Sequence, residues 1–99
     1  MVIIRIRIRS KEGQGDTLAA VVVKESPKVR EQAGCEAFEL FRSAKDENAF
    51  LLYEEWQDRA SFKAYKKSES FESLGSALGP LLAGAPDSVY YEGKTFTDG

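Results

Sequence analysis

The sequence predicts an α+β domain with the order β-α-β-β-α-α-β and a four-stranded antiparallel sheet. Three observations carry this. Residues 2–9 alternate Ile4, Ile6 and Ile8 with Arg5, Arg7 and Arg9, the period-2 pattern of a strand with one apolar and one cationic face. Residues 35–42 and 49–56 are two further β-rich runs separated by the polar stretch Ser43-Ala44-Lys45-Asp46-Glu47-Asn48, which makes them a hairpin. Segments of helical periodicity fill the intervals on either side of that hairpin. A hairpin between two helical crossovers is the split βαβ, or ferredoxin-like, arrangement, spanning 1–99 as one domain.

Each element has its own signals. Gly13 and Gly15 mark a loop after the first strand. Asp16 or Thr17 can cap a helix beginning near Leu18, with Leu18, Val22, Val29 and Ala33 on one face. Pro27 either kinks this helix or opens a second one capped by Ser26. Gly34 supplies the C-terminal stop. Asp58 can cap a short helix through Lys67, in which Phe62 and Tyr65 lie one turn apart. Ser70 can cap the next, with Phe71, Leu74, Leu78 and Leu82 at helical spacing. Residues 88–96 read as the last strand, and the tail 97–99 is expected to fray.

Composition narrows the chemistry. The chain has 99 residues, 42% of them hydrophobic, enough for a core without disulfides or metals. With 14 Lys+Arg against 16 Asp+Glu, the net charge of −2 argues against a nucleic-acid binder. There is no histidine, which excludes Ser-His-Asp and Cys-His nucleophile systems, His-ligated zinc and His-ligated haem. The lone Cys35 cannot form an internal disulfide or complete a thiolate metal site. Its use as a free thiol, an N-terminus without a signal-peptide core, and the lack of any apolar run near 20 residues predict a cytoplasmic protein without membrane association.

Several blocks resemble a known family in order and spacing: Lys11-Glu12-Gly13 after the first strand, Pro27-Lys28-Val29-Arg30-Glu31-Gln32-Ala33-Gly34-Cys35, and Phe38-Glu39-Leu40-Phe41-Arg42. Phe50-Leu51-Leu52-Tyr53-Glu54-Glu55-Trp56-Gln57-Asp58 and Ser61-Phe62-Lys63-Ala64-Tyr65-Lys66-Lys67-Ser68-Glu69-Ser70-Phe71 follow. Together they resemble the antibiotic biosynthesis monooxygenase family of the dimeric α+β barrel group. The resemblance implies a homodimer closed by sheet-to-sheet packing. It also implies a small aromatic or quinol-like substrate oxidised by O2 with no metal, flavin or haem. Many members carry a histidine where this chain has Tyr65, and another in a Ser-Pro-His-Phe block that here reads Ser68-Glu69-Ser70-Phe71. The Asn, Trp and His pattern of the haem-degrading branch falls near Ile6, Tyr65 and Gly75, so haem degradation is rejected.

Candidate residues follow from strand parity and from the resemblance. Leu52, Glu54 and Trp56 share a face of their strand. If that face packs under the helices, Glu54 is a carboxylate in an apolar setting and a candidate general base. Alternatively it pairs with an arginine and serves only structure. Tyr65, at the family's histidine position, is a candidate donor to a phenolic oxygen or oxyanion, or a core ring with its hydroxyl at the rim. Trp56, Phe62, Phe71 and Phe38 are candidate pocket walls, or core and interface residues. The arginine row should meet the acids Glu36, Glu39 or Glu55, or a partner subunit, with Arg7 a candidate for orienting a substrate oxygen. The leading function is a cofactor-independent monooxygenase. The alternatives are a non-catalytic small-molecule-binding dimer and a small-molecule isomerase of the same barrel group.

Overall fold

A computed structural model describes residues 1–98, leaving Gly99 of the expected frayed tail outside the described residues. Its elements are β1 (Val2–Arg9), α1 (Gly15–Arg30), β2 (Cys35–Arg42), β3 (Ala49–Trp56), α2 (Arg59–Lys66), α3 (Glu69–Leu78), a short 3-10 turn Gly79–Leu81, and β4 (Asp87–Glu92). The order is the expected β-α-β-β-α-α-β. The sheet runs β2-β3-β1-β4 with every neighbouring pair antiparallel.

The alternation in β1 does what its period requires. Val2, Ile4 and Ile8 are buried towards the helices, while Arg7 and Arg9 stand exposed on the other face. In β3 the same parity buries Phe50, Leu52, Glu54 and Trp56. Leu18, Val22 and Val29 of α1 and Leu74 and Leu78 of α3 close the core over this face.

Several boundaries differ from the sequence reading. Helix α1 starts at Gly15 rather than near Leu18, and Gln14 precedes it without a side-chain cap. Gly15 is required by close approach: a Cβ there would lie 2.3 Å from Arg42 Nη2 and 2.6 Å from the Glu47 carbonyl oxygen. Pro27 lies inside a continuous 16-residue helix instead of splitting it, and the preceding Ser26 Oγ donates to the Val22 carbonyl at 2.5 Å. Asp58 caps α2 as expected, accepting from the Ser61 N–H at 2.8 Å. Helix α3 is capped by Ser68, two residues before Ser70, and Ser68 Oγ accepts from the Phe71 N–H at 3.2 Å. β4 ends at Glu92, so Phe96 lies outside the last strand, exposed. Among the described residues no helix is long and apolar enough to cross a membrane.

All three helices cover one face of the sheet. The opposite face carries Ile3, Arg5 and Arg7 from β1, Leu51, Tyr53 and Glu55 from β3, Phe41 from β2, and Val89 and Tyr91 from β4. The arginine row does not meet Glu36, Glu39 or Glu55. Register sets Arg5 between Tyr53 and Val89, and its guanidinium instead donates to the Tyr91 hydroxyl at 2.6 Å. Glu55 is taken by the Tyr53 hydroxyl. Arg9 pairs with Asp46 of the hairpin turn at 2.6 Å.

Candidate site beneath the second and third helices

Between the sheet and helices α2 and α3 lies a cavity of about 210 Å³. The sheet contributes Ile6, Ile8, Leu52 and Glu54. The helices contribute Phe62, Tyr65, Lys66, Phe71, Leu74, Gly75 and Leu78, and the chain end adds Leu82, Pro86, Ser88 and Tyr90. Its wall is apolar and aromatic with a few polar groups, the usual character of a small-molecule site.

Glu54 is the buried acid of this wall, with 2% of its surface exposed. Parity of β3 turns it inward, and its register neighbours are Ile4 on β1 and Phe38 on β2, both buried. No arginine reaches it: the β1 arginines occupy the other parity. Trp56, two residues on and on the same face, donates its indole N–H to Glu54 Oε1 at 2.8 Å. Among the described residues that indole N–H is the one hydrogen-bond partner of the carboxyl. Burial pushes the Glu54 carboxyl up to about 7, against a smaller downward pull from the Trp56 hydrogen bond. It therefore exchanges a proton near neutrality, as a general base must.

Tyr65 is held by rings on several sides. It stacks on Trp56 with centroids 4.8 Å apart and planes at 22°, and meets Phe71 edge-on at 5.3 Å and Phe38 at 6.4 Å. Burial first, and then the Glu54 charge, raise its pKa, so at neutral pH it is a hydroxyl donor and not a base. The Cys35 thiol is likewise pushed up by burial and by Glu54, which keeps it protonated and poorly nucleophilic.

The structure thus brings Glu54, Tyr65, Phe62 and Phe71 to one cavity. It does not bring the other candidates there. Trp56 is fully buried behind Glu54 and Tyr65, and supports them rather than lining the cavity. Phe38 is core, packed on Tyr65. Arg7 stands on the opposite face of the sheet, because its parity is opposite to that of Glu54 across the ladder. Sequence reasoning missed Leu74 and Gly75, which share the Phe71 stripe at helical spacing, and Lys66, one turn after Phe62. Tyr90 was reachable only through the β4 register. Among the described residues no group of three or more Cys, Asp and Glu side chains is placed to hold a metal ion.

Comparison with known proteins agrees with the fold. The family model for antibiotic biosynthesis monooxygenase matches residues 1–74. No curated protein matches the chain. Among solved structures, a Nitrosomonas europaea protein named for that family superposes with a TM-score of 0.88 at 19% identity, over 94% of this chain and 98% of that one. A Caulobacter crescentus protein named for it gives 0.88 at 22% identity, over 95% and 90%. A Mycobacterium tuberculosis protein gives 0.86 at 18% identity, over 98% of each chain. At these identities the structural likeness speaks for the fold.

Proposed function

Because the chain belongs to the antibiotic biosynthesis monooxygenase family, we propose that it oxidises a small aromatic or quinol-like compound with O2, without a cofactor, in the cavity bordered by Glu54. The observation that carries this is a single carboxylate poised near neutrality in an aromatic, largely apolar cavity. A phenolic or activated C–H proton passes to Glu54. The resulting anion gives one electron to O2, and the substrate radical and superoxide combine at the activated carbon. The peroxide anion regains the proton from Glu54, and loss of water from the hydroperoxide leaves a carbonyl. Tyr65 donates to the oxyanion that precedes electron transfer, while Phe62 and Phe71 hold the ring and limit water.

The active form on this reading is a homodimer. The open sheet face exposes Phe41, Val89 and Tyr91, and Arg5 Nε is buried there without a partner. Such a face favours cover by a second copy. The protein would act in the cytoplasm, where Cys35 remains a thiol.

Oxygen-electrode traces with a panel of quinols and anthrones test the chemistry. O2 consumption above autoxidation, rising with pH through an apparent pKa of about 7, is the expected result. Tight binding of the same compounds with no O2 uptake at any pH would replace this reading with a non-catalytic binding protein. Sedimentation at micromolar concentration tests the dimer, and a particle of 11.0 kDa would refute it.

A further inference from the structure

The inner cavity is small for its proposed task. About 210 Å³ lies below the roughly 300 Å³ at which small-molecule sites usually begin. A second hollow of about 320 Å³ adjoins it and shares Phe62, Lys66 and Tyr90. The Phe62 and Tyr90 rings, 5.8 Å apart, stand at the join. They are in contact and divide the two hollows; Tyr90 is 57% exposed, and a turn of its ring would let a ligand larger than the inner cavity extend outward.

The outer hollow differs in charge. Arg59, Lys63 and Lys66 follow one another at i, i+4 and i+7 along α2, so helical geometry puts them on one stripe, and all of them line it. Glu92 is its one carboxylate, and Arg59 already holds it through Nε at 3.2 Å and Nη2 at 2.9 Å. Among the described residues neither Lys63 nor Lys66 has a carboxylate within 4.0 Å. The hollow thus keeps two uncompensated ammonium groups in a protein whose net charge is −2. Cations in a last helical turn complement the helix dipole, which accounts for their sign but not for their place around a hollow. Lys66 Nζ lies 5.0 Å from the Phe62 ring centroid, so an ammonium group and an aromatic wall meet at the mouth of the inner cavity.

We propose that the substrate is an aromatic acid: its ring enters the inner cavity, and its carboxylate, sulfonate or phosphate group is held by Lys63 and Lys66 in the outer hollow. This rests on the reading of the inner cavity as the reaction site and adds its substrate class. Charge also fixes the direction of entry. The acid group is repelled by ionised Glu54 inside and attracted at the mouth, so the uncharged edge of the ring is presented to Glu54. An ammonium group is a compact point charge with three donors, and accepts any of these oxyanions.

The test compares 1-hydroxy-2-naphthoate with 1-naphthol by titration calorimetry at low ionic strength. The proteins are the full chain, the double variant Lys63→Gln/Lys66→Gln, and Gly75→Leu. Gly75 lines the inner cavity, and a Cβ there meets nothing within 4 Å, so a side chain can be added at the α3 wall to narrow the cavity. The parent should prefer the acid by about five- to tenfold, the scale of two exposed ion pairs. That preference should fall towards one in the double variant and in 1 M salt, and Gly75→Leu should lose the acid. Equal affinities in the parent, or a preference that survives in the double variant, overturns the proposal. So does tight binding of the acid to Gly75→Leu. Oxygen uptake with neutral quinols is read separately, so loss of the charge preference and loss of the monooxygenase reading are distinct results.

Discussion

Replacing Glu54 by glutamine should flatten the pH dependence of stability in a calculable way. In the unfolded chain this carboxyl titrates at 4.5, and in the fold burial raises it to about 7. A raised carboxylate works against folding. Below pH 4.5 both states are protonated and there is no penalty. Between 4.5 and 7 the unfolded state ionises first, and above 7 the full cost of a buried charge is present. The shift corresponds to about 3 kcal/mol at 1.36 kcal/mol per unit. The parent should lose this amount between pH 4 and pH 8.5 relative to Glu54→Gln. Glutamine keeps an oxygen for the Trp56 indole N–H and adds no titrating group. For a chain of 99 residues this corresponds to a melting-temperature difference that grows by more than about 10 °C across that range. Urea unfolding of both proteins at pH 4, 6, 7 and 8.5 is the assay. Other titrating groups are common to both, so the difference curve isolates Glu54. Parallel stability curves would refute a carboxyl raised by burial and remove the basis for its role as a base near neutrality.

Other variants probe separate links. Tyr65→Phe keeps the ring stacked on Trp56 but deletes the proposed donor; turnover should fall by about 10²-fold with Tm nearly unchanged, and turnover within twofold of the parent would dismiss that role. Ser68→Ala removes the α3 cap, and chemical denaturation should show a loss of about 1 kcal/mol. Gly34→Ala places a Cβ at φ +82°, 2.2 Å from Ser61 Oγ, and should cost at least about 1–2 kcal/mol in the same measurement; unchanged stability would mean that the β2 entry relaxes freely. Oxygen uptake by Glu54→Gln should drop to the autoxidation rate across the quinol panel at pH 8, and full activity there would take Glu54 out of the chemistry.

The strands and their inward faces were legible because period 2 is a local property. Ile4-Arg5-Ile6-Arg7-Ile8 has one arrangement that buries isoleucine and wets arginine, and parity alone placed Glu54 with Leu52 and Trp56. Helix starts were less legible. The sequence reading puts the α3 cap at Ser70, but another serine stands two residues earlier, and the structure uses Ser68. The uninterrupted α1 through Pro27 is also a tertiary result, since burial of Val22 and Val29 on either side holds the helix together.

The absent histidine and the alternating strands are facts of the chain alone: they limited proton transfer to carboxylate, lysine, tyrosine or thiol, and put one carboxylate on a buried face. The sequence could not say what surrounds that carboxylate. Trp56 rather than an arginine holds Glu54 because antiparallel register sets Ile4 and Phe38 beside it. The lysines of α2 acquire meaning only when β4 brings Tyr90 and Glu92 beside them. A side chain's direction follows from its own few neighbours in sequence, but its electrostatic environment comes from strands and helices distant in the chain, and only the folded chain brings these together.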